Sequence, residues 1–208
     1  MSHRGHSGRA TLAAIAAALL AAGLYAAAAD NPKPAAPPEG GAKQEAAQAQ
    51  EIPKATAEHA ALGRAEGTWD ASVEISMGPP GTPPQISKGV ETNRLCCGGL
   101  WMITEFKSNP GSSPFEGHGI TGYEPAKKKY TSTWVDSDLT TPMTSEGAYD
   151  AAGKTLTMRG SMMSRGKTMQ WRDVEVWKDD DTRQFTMYRR GPDGKETPSL
   201  SITYTRRK

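Results

Sequence analysis

From Trp69 onward, apolar and polar positions alternate with a period of two. In TWDASVEISM, Trp69, Ala71, Val73, Ile75 and Met77 share one face, and Asp70, Ser72, Glu74 and Ser76 share the other. That is the pattern of a strand with one buried face. SLSITYTRR repeats it near the C-terminus, with Leu200, Ile202, Tyr204 and Arg206 opposite Ser201, Thr203 and Thr205. Between these two lie the turn-forming clusters GPPGTPP, CCGG, SNPGSSP, EPAKK, DSDLTTP, DAAG, SRGK, KDDD and GPDGK. The segments they separate are short and rich in Thr, Val, Ile, Tyr, Trp and Met, which marks a sandwich or barrel. Nine turns separate ten strands, and most links are of hairpin length. The pattern predicts an all-β fold of about ten antiparallel strands in up-and-down order. An even strand number lets such a ribbon close without leaving edges.

Closure has a consequence for two residues. Antiparallel pairing of the first and last strands brings Trp69 beside Arg206 on the inward face. A guanidinium over an indole is worth about 1 kcal/mol or more when desolvated. The pair is expected to plug one end of the barrel.

Upstream the pattern changes twice. ATAEHAALGR, residues 55–64, has helical composition with Thr56 as a cap and a glycine near its end, so a short N-terminal helix is expected. Residues 30–53 are rich in Pro, Ala, Glu and Gln, and Ile52 is their only large apolar residue. Such a segment buries too little to offset its ordering entropy and reads as a disordered linker. Residues 1–29 carry Arg4 and Arg9, then an Ala- and Leu-rich run, then Ala27-Ala28-Ala29 before Asp30. This is the layout of a signal peptide cleaved near Ala29. The alternative is a retained anchor, since the apolar run approaches the roughly 20 residues that span a bilayer. Cleavage would leave an exported protein, periplasmic or secreted, with no transmembrane span and a single domain over 54–208.

Charge removes some partners. Lys and Arg number 25 against 23 Asp and Glu, a net +2 that Arg4 and Arg9 supply. The mature chain is then neutral overall and offers no basic footprint for nucleic acid or an anionic membrane. Lys127-Lys128-Lys129 and Asp179-Asp180-Asp181 read as solvated turns.

Certain motifs carry a family resemblance. GTW after a short helix, with an arginine ending the last strand, resembles the calycin superfamily of lipocalins, fatty-acid-binding proteins and nitrobindins. GGLW (98–101), FEGHGITGYE (115–124), TWVDS (133–137), EGAYD (146–150) and YTR (204–206) follow in the order of one bacterial family. It is catalogued as domain of unknown function fifteen-seventy-nine. The resemblance covers nearly the whole chain after His59. It implies a lipocalin-like barrel related in fold to nitrobindin, and no activity comes with it.

Candidate chemistry is sparse. Trp134 and Asp136 share a strand face, and Trp101, Tyr123, Trp171 and Tyr188 lie on neighbouring strands. Together they would line an interior able to orient a small apolar or amphipathic ligand. The competing reading is that Asp136 caps the DSDLTTP turn while the tryptophans only pack. Met143, Met158, Met162, Met163, Met169 and Met187 suit an irregular barrel interior better than a copper site. The only cysteines, Cys96 and Cys97, are adjacent and lie outside the family pattern. Strand neighbours point to opposite faces, so the pair converges only through a distorted turn, which Gly98-Gly99 would permit. A vicinal disulfide, a bridge between chains and free thiols all stay open. His59 and His118 are the only histidines after the leader and have no partner at zinc-ligand spacing. His118 would be the axial ligand if the barrel held haem as nitrobindin-like proteins do, although its parity with Glu116 and Ile120 points outward. No Ser-His-Asp set can be placed, and neither catalytic residue nor cofactor is expected. The expectation is a non-catalytic, ligand-binding barrel. The alternatives are a haem-dependent enzyme using His118 and a partner-binding module of the cell envelope.

Overall fold

The computed structural model describes residues 52–208, apart from Met77, Pro79, Pro80, Ser112, Arg165 and Pro192. The leader expected at 1–29, and the linker expected at 30–53 except for its last two residues, lie outside the described residues.

The described residues form one short helix and ten strands. These are α1 (Ala57–Leu62), then β1 (Gly67–Ile75), β2 (Gln85–Cys96), β3 (Trp101–Ser108), β4 (Phe115–Glu124) and β5 (Lys129–Asp136). The chain continues through β6 (Met143–Tyr149), β7 (Thr155–Ser164), β8 (Lys167–Trp177), β9 (Thr182–Arg190) and β10 (Glu196–Arg206). Each strand pairs with its sequence neighbours, and β1 also pairs with β10, so the sheet closes. The result is the all-β, ten-stranded, up-and-down antiparallel barrel that the alternation predicts, and the lipocalin-like barrel that the family resemblance implies.

α1 and the 3-10 turn after it (Gly63–Ala65) close one end. His59 Nδ1 accepts a hydrogen bond from the Thr56 amide, 3.1 Å away, which satisfies a free donor at the start of the helix. The same imidazole is buried and packs edge-on against Tyr123. Tyr130 Oη donates to the Glu58 carbonyl at 2.9 Å, and Leu62 packs with Met102, Tyr130 and Met158. Helix and barrel are thus joined by apolar burial and one long-range hydrogen bond.

The second cluster surrounds Trp69, which is fully buried among Ala71, Val73, Phe106, Trp177, Ile202 and Tyr204. Trp69 Nε1 donates to the Ala65 carbonyl at 2.8 Å, and Trp177 meets the ring edge-on. Several barrel aromatics lie across glycines of the adjoining strand. A Cβ on Gly117 would stand 2.1 Å from Trp134 Cζ2, and one on Gly160 would stand 2.3 Å from Trp171 Cζ2. On the outer face, Trp101 covers Gly122 in the same way. The glycines of FEGHGITGYE therefore leave room for rings on both surfaces of the sheet.

Candidate functional site: the barrel interior

The β1–β10 register pairs Trp69 with Arg206, and the guanidinium lies 4.1 Å from the indole centroid. Arg206 also donates to the carbonyls of Glu66 (2.6 Å), Arg64 (2.8 Å) and Asp180 (3.1 Å). One side chain thereby joins the last strand, the turn before β1 and the β8–β9 connection. It forms the plug at the closed end.

Inside that plug lies a charged cluster. Arg183 is buried, 4.7 Å from the Trp69 ring and 3.9 Å from the Tyr204 ring. Its guanidinium forms ion pairs with both Glu91 and Glu175. Asn93 Nδ2 donates to Glu91 Oε1 at 2.6 Å, and Thr104 Oγ1 donates to Asn93 Oδ1 at 2.6 Å. Burial works against the charge on Arg183, but the carboxylates of Glu175 and Glu91 outweigh it and its pKa is raised. Burial drives the Tyr204 hydroxyl well above its ordinary value. Tyr149 is pushed up to about 12, by burial first and then by the Glu175 charge. One guanidinium faces two carboxylates, so the buried cluster carries an acidic excess.

Asp173 extends this excess toward the middle of the barrel. It shares the inward face of β8 with Trp171, Glu175 and Trp177, and pairs with Met158 and Met187 on the flanking strands. Its Oδ1 is buried and has no hydrogen-bond partner. Burial pushes its pKa up to about 7, with Trp171 and the Arg172 charge acting in the opposite direction. A carboxyl group in this state is neutral or ionised with small changes near pH 7.

Toward the other end the lining becomes apolar. Phe115, Trp134, Met143, Met169, Phe185, Met187 and Leu200 face inward by register and remain partly exposed. Thr104, Thr121, Ser132 and Ser145 also face inward and are partly exposed. Thr121 Oγ1 donates to Ser132 Oγ at 3.0 Å. Apolar side chains beside hydroxyls and an under-paired carboxyl are the make-up of a small-molecule lining.

The expected lining residues fall into two groups. Tyr123, Trp134, Asp136 and Trp171 face the interior. Trp134 Nε1 donates to Asp136 Oδ2 at 2.9 Å, while Asp136 Oδ1 accepts the Asp138 amide at 2.9 Å. Both oxygens of Asp136 are engaged in holding the ring and the turn, so it is a positioning residue rather than a free ligand contact. Trp101 and Tyr188 do not line the interior. Trp101 pairs with Gly122 on the outer face, and Tyr188 stacks outside beneath Arg172, 4.1 Å away. In each case the neighbour, Met102 or Met187, takes the inward position.

His118 also lies outside, with its Nε2 3.0 Å from Glu116 Oε1. It cannot be an axial ligand to a group held within the barrel, and His59 is committed to the helix cap. Neither histidine is therefore placed to ligate haem inside the barrel. Among the described residues no three His, Cys, Asp or Glu side chains are grouped to hold a metal ion. The sulfurs of Cys96 and Cys97 are not bonded to each other and lie 3.4 Å apart. Met163 points outward and is exposed, unlike the inward, buried Met158 and Met162.

The outer surface offers less. A hollow of about 730 Å³ crosses its middle strands and is lined by Glu124, Lys127, Glu146, Arg159 and Glu196 among others. Lys127 pairs with Glu124 at 2.8 Å, and Arg159 with Glu196 at 3.2 Å. Exposed pairs of this kind offer little net charge for recognition.

The sequence over residues 54–206 matches a family described as "Protein of unknown function (DUF1579)". The chain belongs to the DUF1579 family. No curated protein matches this DUF1579 chain. Among solved structures, the S-type phycobiliprotein lyase CPES from Guillardia theta is similar, with a TM-score of 0.48 at 10% identity. The superposition covers 71% of the DUF1579 chain and 90% of the lyase. Among the described residues, no helix is long and apolar enough to cross a membrane.

Proposed function

We propose that this barrel binds a small amphipathic molecule in its interior and carries out no chemistry on it. The observation that carries the reading is the orphaned Oδ1 of Asp173 at the inner end of an apolar, partly accessible lining. An unpaired buried carboxyl oxygen costs about 1–3 kcal/mol, which a ligand N–H or cation placed against it would offset. Glu91 and Glu175 share a single guanidinium, which biases the interior further toward a donor or a positive charge. An apolar ligand body would meet Trp134, Met143, Met169 and Met187. Among the described residues, no nucleophile with a paired base faces the interior, which supports binding without catalysis. Residues 1–29 read as a secretory leader, so the reading includes export, with residues 30–53 as a tether.

Native mass spectrometry of the full chain purified from its own host tests this. A co-purifying small molecule is expected, retained by the parent and lost or reduced in Asp173→Asn. A single apo mass from both proteins, under conditions that preserve the fold, would contradict the reading.

A further inference from the structure

The two thiols stand at the closed end of the barrel, outside the chamber. Cys96 ends β2 in extended conformation (φ −139°, ψ 176°), and the chain then turns left-handed at Cys97 (φ 54°), Gly98 (φ 71°) and Gly99 (φ 83°). A left-handed Cys97 costs about 1–2 kcal/mol relative to ordinary backbone. It also breaks the strand alternation that would otherwise separate the two side chains. The sulfurs consequently lie 3.4 Å apart. Cys97 is exposed, Cys96 is half-buried, and space beside Gly98 is open.

That separation discriminates among sulfur chemistries. A disulfide needs sulfurs about 2.05 Å apart and Cα atoms usually about 4.4–6.8 Å apart, whereas adjacent Cα atoms are held at about 3.8 Å. A linear two-coordinate ion with bonds of about 2.3 Å to sulfur needs about 4.6 Å between the sulfurs. A tetrahedral zinc site needs further ligands, and no third His, Cys, Asp or Glu joins the pair among the described residues. A bent soft centre fits without movement: with bonds of about 2.3 Å, the length typical of a metal–thiolate bond, the 3.4 Å gap corresponds to an angle of roughly 95° at the centre. Trivalent arsenic bearing one organic group has this geometry and requires only two sulfurs from the protein.

We propose that Cys96 and Cys97 form a dithiol site for organic arsenic(III) compounds, aryl derivatives above all. The reaction is a ligand exchange. Two S–H bonds and two As–OH bonds break, two As–S bonds form, two waters leave, and arsenic remains trivalent. The aryl preference comes from Trp101, which is the direct cross-strand partner of Cys96 on the outer face and is 36% exposed. Directly opposed residues hold their Cβ atoms about 4.5–5.5 Å apart, so an arsenic-borne ring can reach the indole.

The probe is phenylarsine oxide, added to the full chain kept reduced by a phosphine. One aryl-arsenic per chain is expected by intact mass, with loss of both titratable thiols and a change in tryptophan fluorescence. The adduct should resist excess 2-mercaptoethanol and be released by 1,2-ethanedithiol. Cys96→Ser and Cys97→Ser, checked for native near-ultraviolet circular dichroism, should each bind about a hundredfold more weakly, because chelation is lost. Single-thiol variants that bind as tightly as the parent would overturn the site. Trp101→Ala should retain capture but narrow the preference for phenyl over methyl arsenicals. An unchanged preference would overturn the role given to the ring.

Discussion

Arg206 lies 4.1 Å from the centroid of the Trp69 indole, and the two residues are direct partners where β10 meets β1. The contact closes the seam of the barrel and fastens the turn before β1 through the Arg64 and Glu66 carbonyls. Arg206→Ala removes the cation–π contact and leaves several carbonyls without their donor. The expected loss is about 2–3 kcal/mol, read from the urea midpoint. Arg206→Lys should recover less than half, because an ammonium cannot reach Arg64, Glu66 and Asp180 together.

Arg183 is the sole guanidinium held between Glu91 and Glu175. Arg183→Met leaves two buried carboxylates uncompensated and should cost about 3–5 kcal/mol. Adding Glu91→Gln and Glu175→Gln should return part of that loss, since the charges that needed the guanidinium are gone. Chemical denaturation of the single and triple variants gives the comparison. Equal stabilities would show that the cluster's charges are solvated rather than buried.

Asp173 sets a pH dependence with a definite sign. Its pKa rises from 3.8 to about 7 on folding. Below about pH 4 both states hold the proton and the group contributes nothing to the slope. From about pH 4 to about pH 7 the unfolded chain ionises first, so stability falls as pH rises and then levels off. A shift of this size corresponds to at most about 4 kcal/mol. Asp173→Asn should flatten that part of the profile and be more stable than the parent at pH 8. Urea midpoints across the range check this, and parallel profiles for the two proteins would refute it.

Gly117 has a steric role. Its Cβ position is 2.1 Å from Trp134 Cζ2. Gly117→Ala should cost about 1–3 kcal/mol by displacing the ring. In a Trp134→Ala background the same change should cost much less, a coupling that a double-mutant cycle measures.

The strands and their closure were legible because period-two alternation is a direct image of one buried face. Trp69 and Arg206 followed because each ends a strand of clear parity. Trp101 was not legible, because the left-handed residues Cys97 to Gly99 reset the parity just before it. Tyr188 adjoins Met187, and two large apolar neighbours give no sign of which one turns inward. Asp173 and Glu175 carried a usable signal, since Trp171 and Trp177 in WRDVEVW fix the face on which both acids lie. Glu91 carried none. Its neighbour Val90 is the apolar residue, and only the distant Arg183 explains why the carboxylate is inside.

The central claim is that the interior selects an amphipathic molecule by its donor or positive charge. Tryptophan fluorescence of the full chain, titrated with dodecylamine and separately with dodecanoate, tests it most directly. The amine should bind saturably, with affinity reduced roughly tenfold in Asp173→Asn, and the carboxylate should bind weakly or not at all. Equal binding of both chain types, or an amine affinity unchanged in Asp173→Asn, would contradict the account.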